Sequence, residues 1–187
     1  MNIKIRNGAF ETNSSSTHSI VIRKDINTPN EEITREEAIE DLNATAVDED
    51  KPVVHDGIFD FTRLGIDSSD DFGWGLCTFS DFSHKLLYAA IDLYHDDNDI
   101  TDETSSLHKL LEFIKTFLGV DTIILPEMSD DEKEDARSWN NAEISYNFGT
   151  IDHQSRGTVS DIRESGHTIK EFLLNKDFYL IIDNDNH

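Results

Sequence analysis

The sequence predicts an α+β fold, with α/β as the alternative, built as a single domain. Short β-type runs stand at both ends and in the middle of the chain, and two amphipathic helical patterns lie between them. A length of 187 residues is enough to bury one core. A mixed or antiparallel sheet of roughly five to six strands is expected, with three to four helices mainly on one face.

The elements follow in chain order. Ile3 and Ile5, then Ile20, Val21 and Ile22, read as two strands joined by a long polar loop from Gly8 to Ser19. The stretch at about 25–51 reads as an acidic excursion from the domain, with a surface helix built on Ile33, Ala38, Ile39 and Leu42. Pro52 opens a strand-like run, Val53-Val54-His55, that leads through Gly57 to Ile58, Phe59 and Phe61. Phe72-Gly73-Trp74-Gly75 suggests a bent edge or close backbone packing.

Ser80 or Asp81 caps a helix whose Phe82, Leu86, Leu87, Ala90, Ile91 and Tyr94 share a face. The pattern repeats from Thr104 to Leu118 on Leu107, Leu110, Leu111 and Ile114, with Gly119 where a helix-terminating glycine belongs. Val120 to Leu125 is a β-rich run closed by Pro126, and Asp130 to Ala136 a charged helix or loop. Ile144 to Phe148 alternates as a half-buried strand. A last helix at about Thr168 to Asn175 precedes the strand Phe178 to Ile182 and an acidic tail.

Sixteen basic against 39 acidic residues give a net charge of −23. Such a charge repels phosphate, so direct binding to nucleic acid or anionic lipid is not expected. It attracts a protein whose own surface is basic, or divalent cations, and it also serves simple solubility. The acidic groups expected to meet a partner are Glu31, Glu32, Glu36, Glu37, Asp96, Asp97, Asp99, Asp130 and Asp131. Only residues 1–24 lean basic, with Lys4, Arg6, Arg23 and Lys24 against Glu11. A single cysteine, Cys77, excludes an internal disulfide. Met1 to Ile5 is too short and polar for the apolar part of a signal peptide, and no window approaches the roughly 20 apolar residues of a membrane span. A cytoplasmic protein is therefore expected.

Three polar segments are candidates for chemistry. Asn13-Ser14-Ser15-Ser16-Thr17-His18-Ser19 packs hydroxyls, an amide and an imidazole into seven residues. It reads as a self-satisfied turn, as a phosphate or anion cradle helped by Arg6, or as a site where His18 is base or metal ligand and a Ser or Thr is nucleophile. Asp152-His153-Gln154-Ser155 lies just past a strand, where an Asp orients a neighbouring imidazole only if the fold turns both side chains together. Asp183-Asn184-Asp185-Asn186 offers oxygen ligands for a hard cation, or frays. If all three meet at one sheet edge, an enzyme reading uses Thr17, His18, Asp152 and His153, and a metal reading uses His18, His153, Asp183 and Asp185 around a divalent ion such as zinc. The 8 histidines and Cys77 show no C-x-x-C or H-x-x-x-H spacing, so a zinc site would be assembled through space. No GxSxG elbow and no Walker A pattern is present.

The run Phe10-Glu11-Thr12-Asn13-Ser14-Ser15-Ser16-Thr17-His18-Ser19 resembles the opening of uncharacterised phage and mobile-element proteins that carry an F-x-x-N-S-S-S-[ST]-H-S segment. Phe72-Gly73-Trp74, Lys85-Leu86-Leu87-Tyr88, Ile151 to Ser155 and Asp183 to Asn186 look similar too. The resemblance implies a phage setting in the cytoplasm of an infected or host bacterium, and no established activity. In that setting a small acidic protein looks like an anti-defence inhibitor, such as an anti-CRISPR protein that occupies the basic nucleic-acid channel of a Cas effector. The expectation is thus an acidic inhibitor of a basic, nucleic-acid-handling host protein, with a structural metal as an option. The alternative is a hydrolase or transferase with a Ser/Thr/His/Asp site.

Overall fold

Ile20 and Ile22 alternate with Ser19 and Val21 near the start of the chain, and Phe178, Leu180 and Ile182 alternate with Tyr179 and Ile181 near its end. These two runs find each other. The computed structural model describes residues 2–6, 16–23, 31–73, 76–96, 99–134, 145–151, 155–162 and 164–184. In it β2 (Ser16–Arg23) pairs antiparallel with the last strand, β7 (Phe178–Asn184), in the register Ile20↔Leu180 and Ile22↔Phe178. β1 (Asn2–Arg6) flanks β2 on one side, and β5 (Cys77–Phe79) flanks β7 on the other, giving the order β1-β2-β7-β5, antiparallel throughout. One face, with Ile20, Ile22, Phe178, Leu180 and Ile182, is buried, as the period of two requires.

A second sheet holds β3 (Val54–His55), β4 (Ile58–Asp60) and β6 (Thr122–Ile124), in the order β3-β4-β6. β3 and β4 are joined by Asp56-Gly57, both at positive φ (+45° and +76°), the two-residue hairpin turn whose twist suits the strands it joins. β4 and β6 run parallel.

The helices fill the space between. α1 (Arg35–Ala44) begins with a capping box in which Thr34 and Glu37 satisfy each other's backbone N–H groups, and it buries Ala38 and Leu42. α2 (Ser68–Asp71) is a single turn. α3 (Phe82–Asp96) is capped by Asp81, which accepts from the backbone of His84 at 2.9 Å. α4 (Ser106–Leu118) runs from the Ser105 cap to Gly119, at φ +63°. α5 (Ile169–Leu174) opens with a second capping box, Thr168 with Glu171. No helix among the described residues is long and apolar enough to cross a membrane.

α3 is buried almost all round: from Phe82 to Tyr94 only His84 is not fully buried. The expectation of an amphipathic helix with one apolar face fails there because α1, α4 and α5 all pack against it while the four-stranded sheet lies over another side. The result is one α+β unit around a single contiguous core, with α3 as its axis.

Several elements differ from the sequence reading. The strands form two small sheets where one was expected, and β5 was not foreseen. Ser16 to Ser19 belong to β2 and not to a loop, because β7 supplies ladder partners for backbone that hydroxyl side chains would otherwise bond locally. Residues 145–148 form no strand, but Tyr146 makes one isolated bridge to Glu127. The acidic stretch holding α1 is tied in: Asp41 accepts the Ser83 N–H at the start of α3 (2.7 Å), and Ala38 and Leu42 are in the core. Trp74 and Gly75 lie outside the described residues.

Candidate functional site

The long sequence separations between Ser16–Ser19, Ser155 and β7 collapse at one end of the two central strands of the four-stranded sheet. β2 and β7 set Ser16 opposite Asn184 and Thr17 opposite Asp183. One residue on, His18 faces Ile182, whose other neighbour is Cys77. His18 lies on the core side and is 1% exposed. Its Nδ1 is 2.9 Å from the hydroxyl of Tyr88 on α3, and its backbone N–H donates to Oγ of Ser155 at 3.2 Å. Which ring nitrogen carries the proton follows from the tautomer, so Tyr88 is donor in one form and acceptor in the other.

Ser155 begins a segment that lies along α3, held by a stripe of that helix. Lys85, Tyr88, Asp92 and Asp96 are spaced three and four apart, so they share a face. Lys85 Nζ donates to the carbonyl of Asn175 at 3.3 Å. Asp92 accepts two backbone N–H groups, Gly157 at 2.6 Å and Val159 at 2.7 Å. Asp96 accepts the Ser160 hydroxyl at 2.5 Å, and Thr158 closes the turn by donating to the Ser155 carbonyl at 2.6 Å. The stripe clasps residues 155–160 to α3 and holds the chain just after Asp152-His153-Gln154.

Burial sets the electrostatics of this stripe. Asp92 is 0% exposed; desolvation pushes its carboxyl up to about 6, against the pull of its two N–H donors and with help from the Asp96 and Asp161 charges. Asp161 is raised for the same reason, burial first and then repulsion from Glu164 and Asp96. Lys85, 1% exposed, is pulled down to about 8 by burial, with Asp81 and Asp41 offsetting part of the effect. His95, next to Asp96, is lowered by burial and by the Arg156 charge.

No family model matches the chain, and no curated protein or solved structure matches it either.

For the enzyme reading, His18 is enclosed by Tyr88 and the sheet, whereas a general base must reach its substrate. Only the backbone of Thr17 is described, and Asp152 and His153 lie outside the described residues. For the metal reading, His18 and Asp183 sit at successive cross-strand positions, so alternation sends their side chains to opposite faces of the sheet. His153 and Asp185 are outside the described residues, among which no group of three His, Cys, Asp or Glu is arranged to hold a metal ion.

The acidic groups expected at a partner surface divide by what they do within the fold. Glu31 and Glu37 both accept from Lys176, at 2.8 and 3.0 Å, and Glu37 also completes the α1 capping box; the Thr34 N–H and Lys176 hold its carboxyl at about 2. Asp99 turns the chain by accepting the N–H and hydroxyl of Thr101. Asp96, though exposed, accepts the Ser160 hydroxyl; Glu32, Glu36, Asp130 and Asp131 are exposed, and Asp97 lies outside the described residues.

Sequence reading missed the α3 stripe. The spacing Lys85, Tyr88, Asp92, Asp96 on a helix that is otherwise apolar is the signal that would have found it, since buried polar groups need partners.

Proposed function

We propose that this protein is an acidic inhibitor that binds a basic, nucleic-acid-handling protein of a host's defence, of the Cas-effector type. One observation carries the reading: like charge gathers at the C-terminal end of α3, where the helix dipole already makes carboxylates unfavourable. Asp96, Asp161 and Glu164 interact there: burial first, and then repulsion from Glu164 and Asp96, raises Asp161. Asp96 ties down Ser160, but the remaining like-charge repulsion costs the fold stability, and a basic partner relieves it on binding. Exposed Glu32 and Glu36 on the α1 side, and Asp130 and Asp131, extend the acidic surface, within a total of −23. The clasp of residues 155–160 to α3 gives Asp161 a rigid base.

The test is binding to a purified Cas effector, with and without its guide RNA, over rising salt. Affinity should fall steeply with salt, and the acidic protein should compete with nucleic acid for the effector. Replacing Asp96, Asp161 and Glu164 by their amides should weaken binding at least about tenfold, since each charge-assisted contact contributes on the order of 1 kcal/mol or more. Tight binding that survives neutralisation of these residues together with Glu32, Glu36, Asp130 and Asp131 would overturn the reading.

A further inference from the structure

The start of α5 and the outer face of α4 enclose a cleft of about 380 Å³. Its apolar lining comes from Leu110, Phe113 and Ile169. Leu110 is buried, and Phe113 and Ile169 are half-buried. Three basic side chains stand around it: Lys109, His167 and Lys170. Lys170 Nζ lies 5.9 Å from the centre of the Phe113 ring, a cation over an aromatic face. Lys109 reaches back to the Thr104 carbonyl, and His167 packs edge-on against Phe178 while Glu171 lies 3.7 Å from its Nδ1.

The sign of this rim sets it apart. In a chain of net charge −23, no carboxylate among the described residues lines the cleft. Among the described residues, a cleft of about 480 Å³ beside Phe61 and Phe148 has Asp67 in its wall and no basic residue, and another of about 570 Å³ beside Ile123 and Tyr146 has Glu127 and no basic residue. The α4–α5 cleft thus pairs an apolar floor with local positive charge in a volume suited to a small molecule. Such a surface discriminates by chemistry: the floor takes a hydrocarbon body, and the lysines take an anionic head that the rest of the molecule repels.

We propose that this cleft is a binding site for a small amphipathic anion, a carboxylate carried on a medium-length alkyl chain or a single aromatic ring. Its seat is distinct from the acidic end of α3, so it does not rest on the inhibitor reading.

Octanoate is the probe, with 1-octanol and acetate as controls for head and tail. Titration of the full chain, followed by calorimetry and by backbone amide NMR shifts, should give saturable octanoate binding with shifts at Leu110, Phe113 and Ile169. Octanol should bind at least about fivefold more weakly and acetate not at all, and Lys109→Gln with Lys170→Gln should weaken octanoate at least about tenfold, as expected for loss of two charge-assisted contacts. The double variant should keep the wild-type melting temperature, because both side chains are exposed. Equal binding of octanol and octanoate, unchanged affinity in the double variant, or shifts confined to other surfaces would overturn the proposal. So would concentration-dependent self-association that octanoate fails to disturb while the same three residues shift, which would give the cleft to a second copy of the chain.

Discussion

Replacing Asp92 by Asn separates the two roles of its carboxylate, acceptor for a loop and buried charge. The side chain is 0% exposed and receives the N–H groups of Gly157 and Val159 at 2.6 and 2.7 Å. Asparagine keeps one acceptor oxygen and turns an NH2 toward the other N–H, which costs about 1–3 kcal/mol at any pH. Against this stands the charge. Burial raises the Asp92 carboxyl from 3.8 to about 6, so between those values the native state holds a proton that the unfolded chain has released. Wild-type stability therefore declines as pH rises through this window, and the full span, at 1.36 kcal/mol per pH unit, is about 3 kcal/mol. The isoelectric point near 4.4 makes pH 5 a practical lower limit for a soluble protein. Between pH 5 and 7.5 the part of the span that remains is about 1.4 kcal/mol. Asp92→Asn has no such group. Urea unfolding of both proteins at constant ionic strength should show the variant about 1–3 kcal/mol less stable at pH 5, and that deficit should shrink by about 1.4 kcal/mol at pH 7.5. A deficit that stays constant or grows with pH would refute the account of Asp92 as a buried, costly charge.

Two further substitutions probe the same stripe. Tyr88→Phe removes the hydroxyl that meets His18 Nδ1 and should cost about 1–2 kcal/mol in urea unfolding without loss of the fold. Lys85→Met should raise stability at pH 7 by about 1–3 kcal/mol, because a buried ammonium with one carbonyl acceptor gives way to an apolar chain of similar length. Since Lys85 falls from 10.5 to about 8 on folding, the unfolded chain holds more protons between these values; wild-type stability should rise from pH 8 toward 10, a rise the variant lacks.

Much of the architecture was legible because its signals are local. Asp81 stands just before the apolar run that opens at Phe82, Gly119 follows Leu118, and Leu107, Leu110, Ile114 and Leu118 recur at helical spacing. The site was legible only in part. That His18 sits in an unusual polar run could be read from composition, and its meeting with the chain's end was a conditional expectation, but the direction of its side chain could not be read. Strand alternation depends on where β2 begins, and the pairing with β7, from Ile22↔Phe178 to Ser16↔Asn184, fixes that start.

By itself, the sequence determined the α+β class, the charge of −23, the helix caps and the absence of a tight metal-ligand spacing, all of which depend on residue identity and near neighbours. Only the tertiary structure decided the rest. It split the strands into two sheets, turned α3 into a buried axis, and enclosed His18 between Tyr88 and Ser155. The physical reason is that burying polar groups requires partners wherever the chain can bring them, and Tyr88 and Ser155, the partners of His18, lie far from it in sequence, beyond the reach of any local pattern.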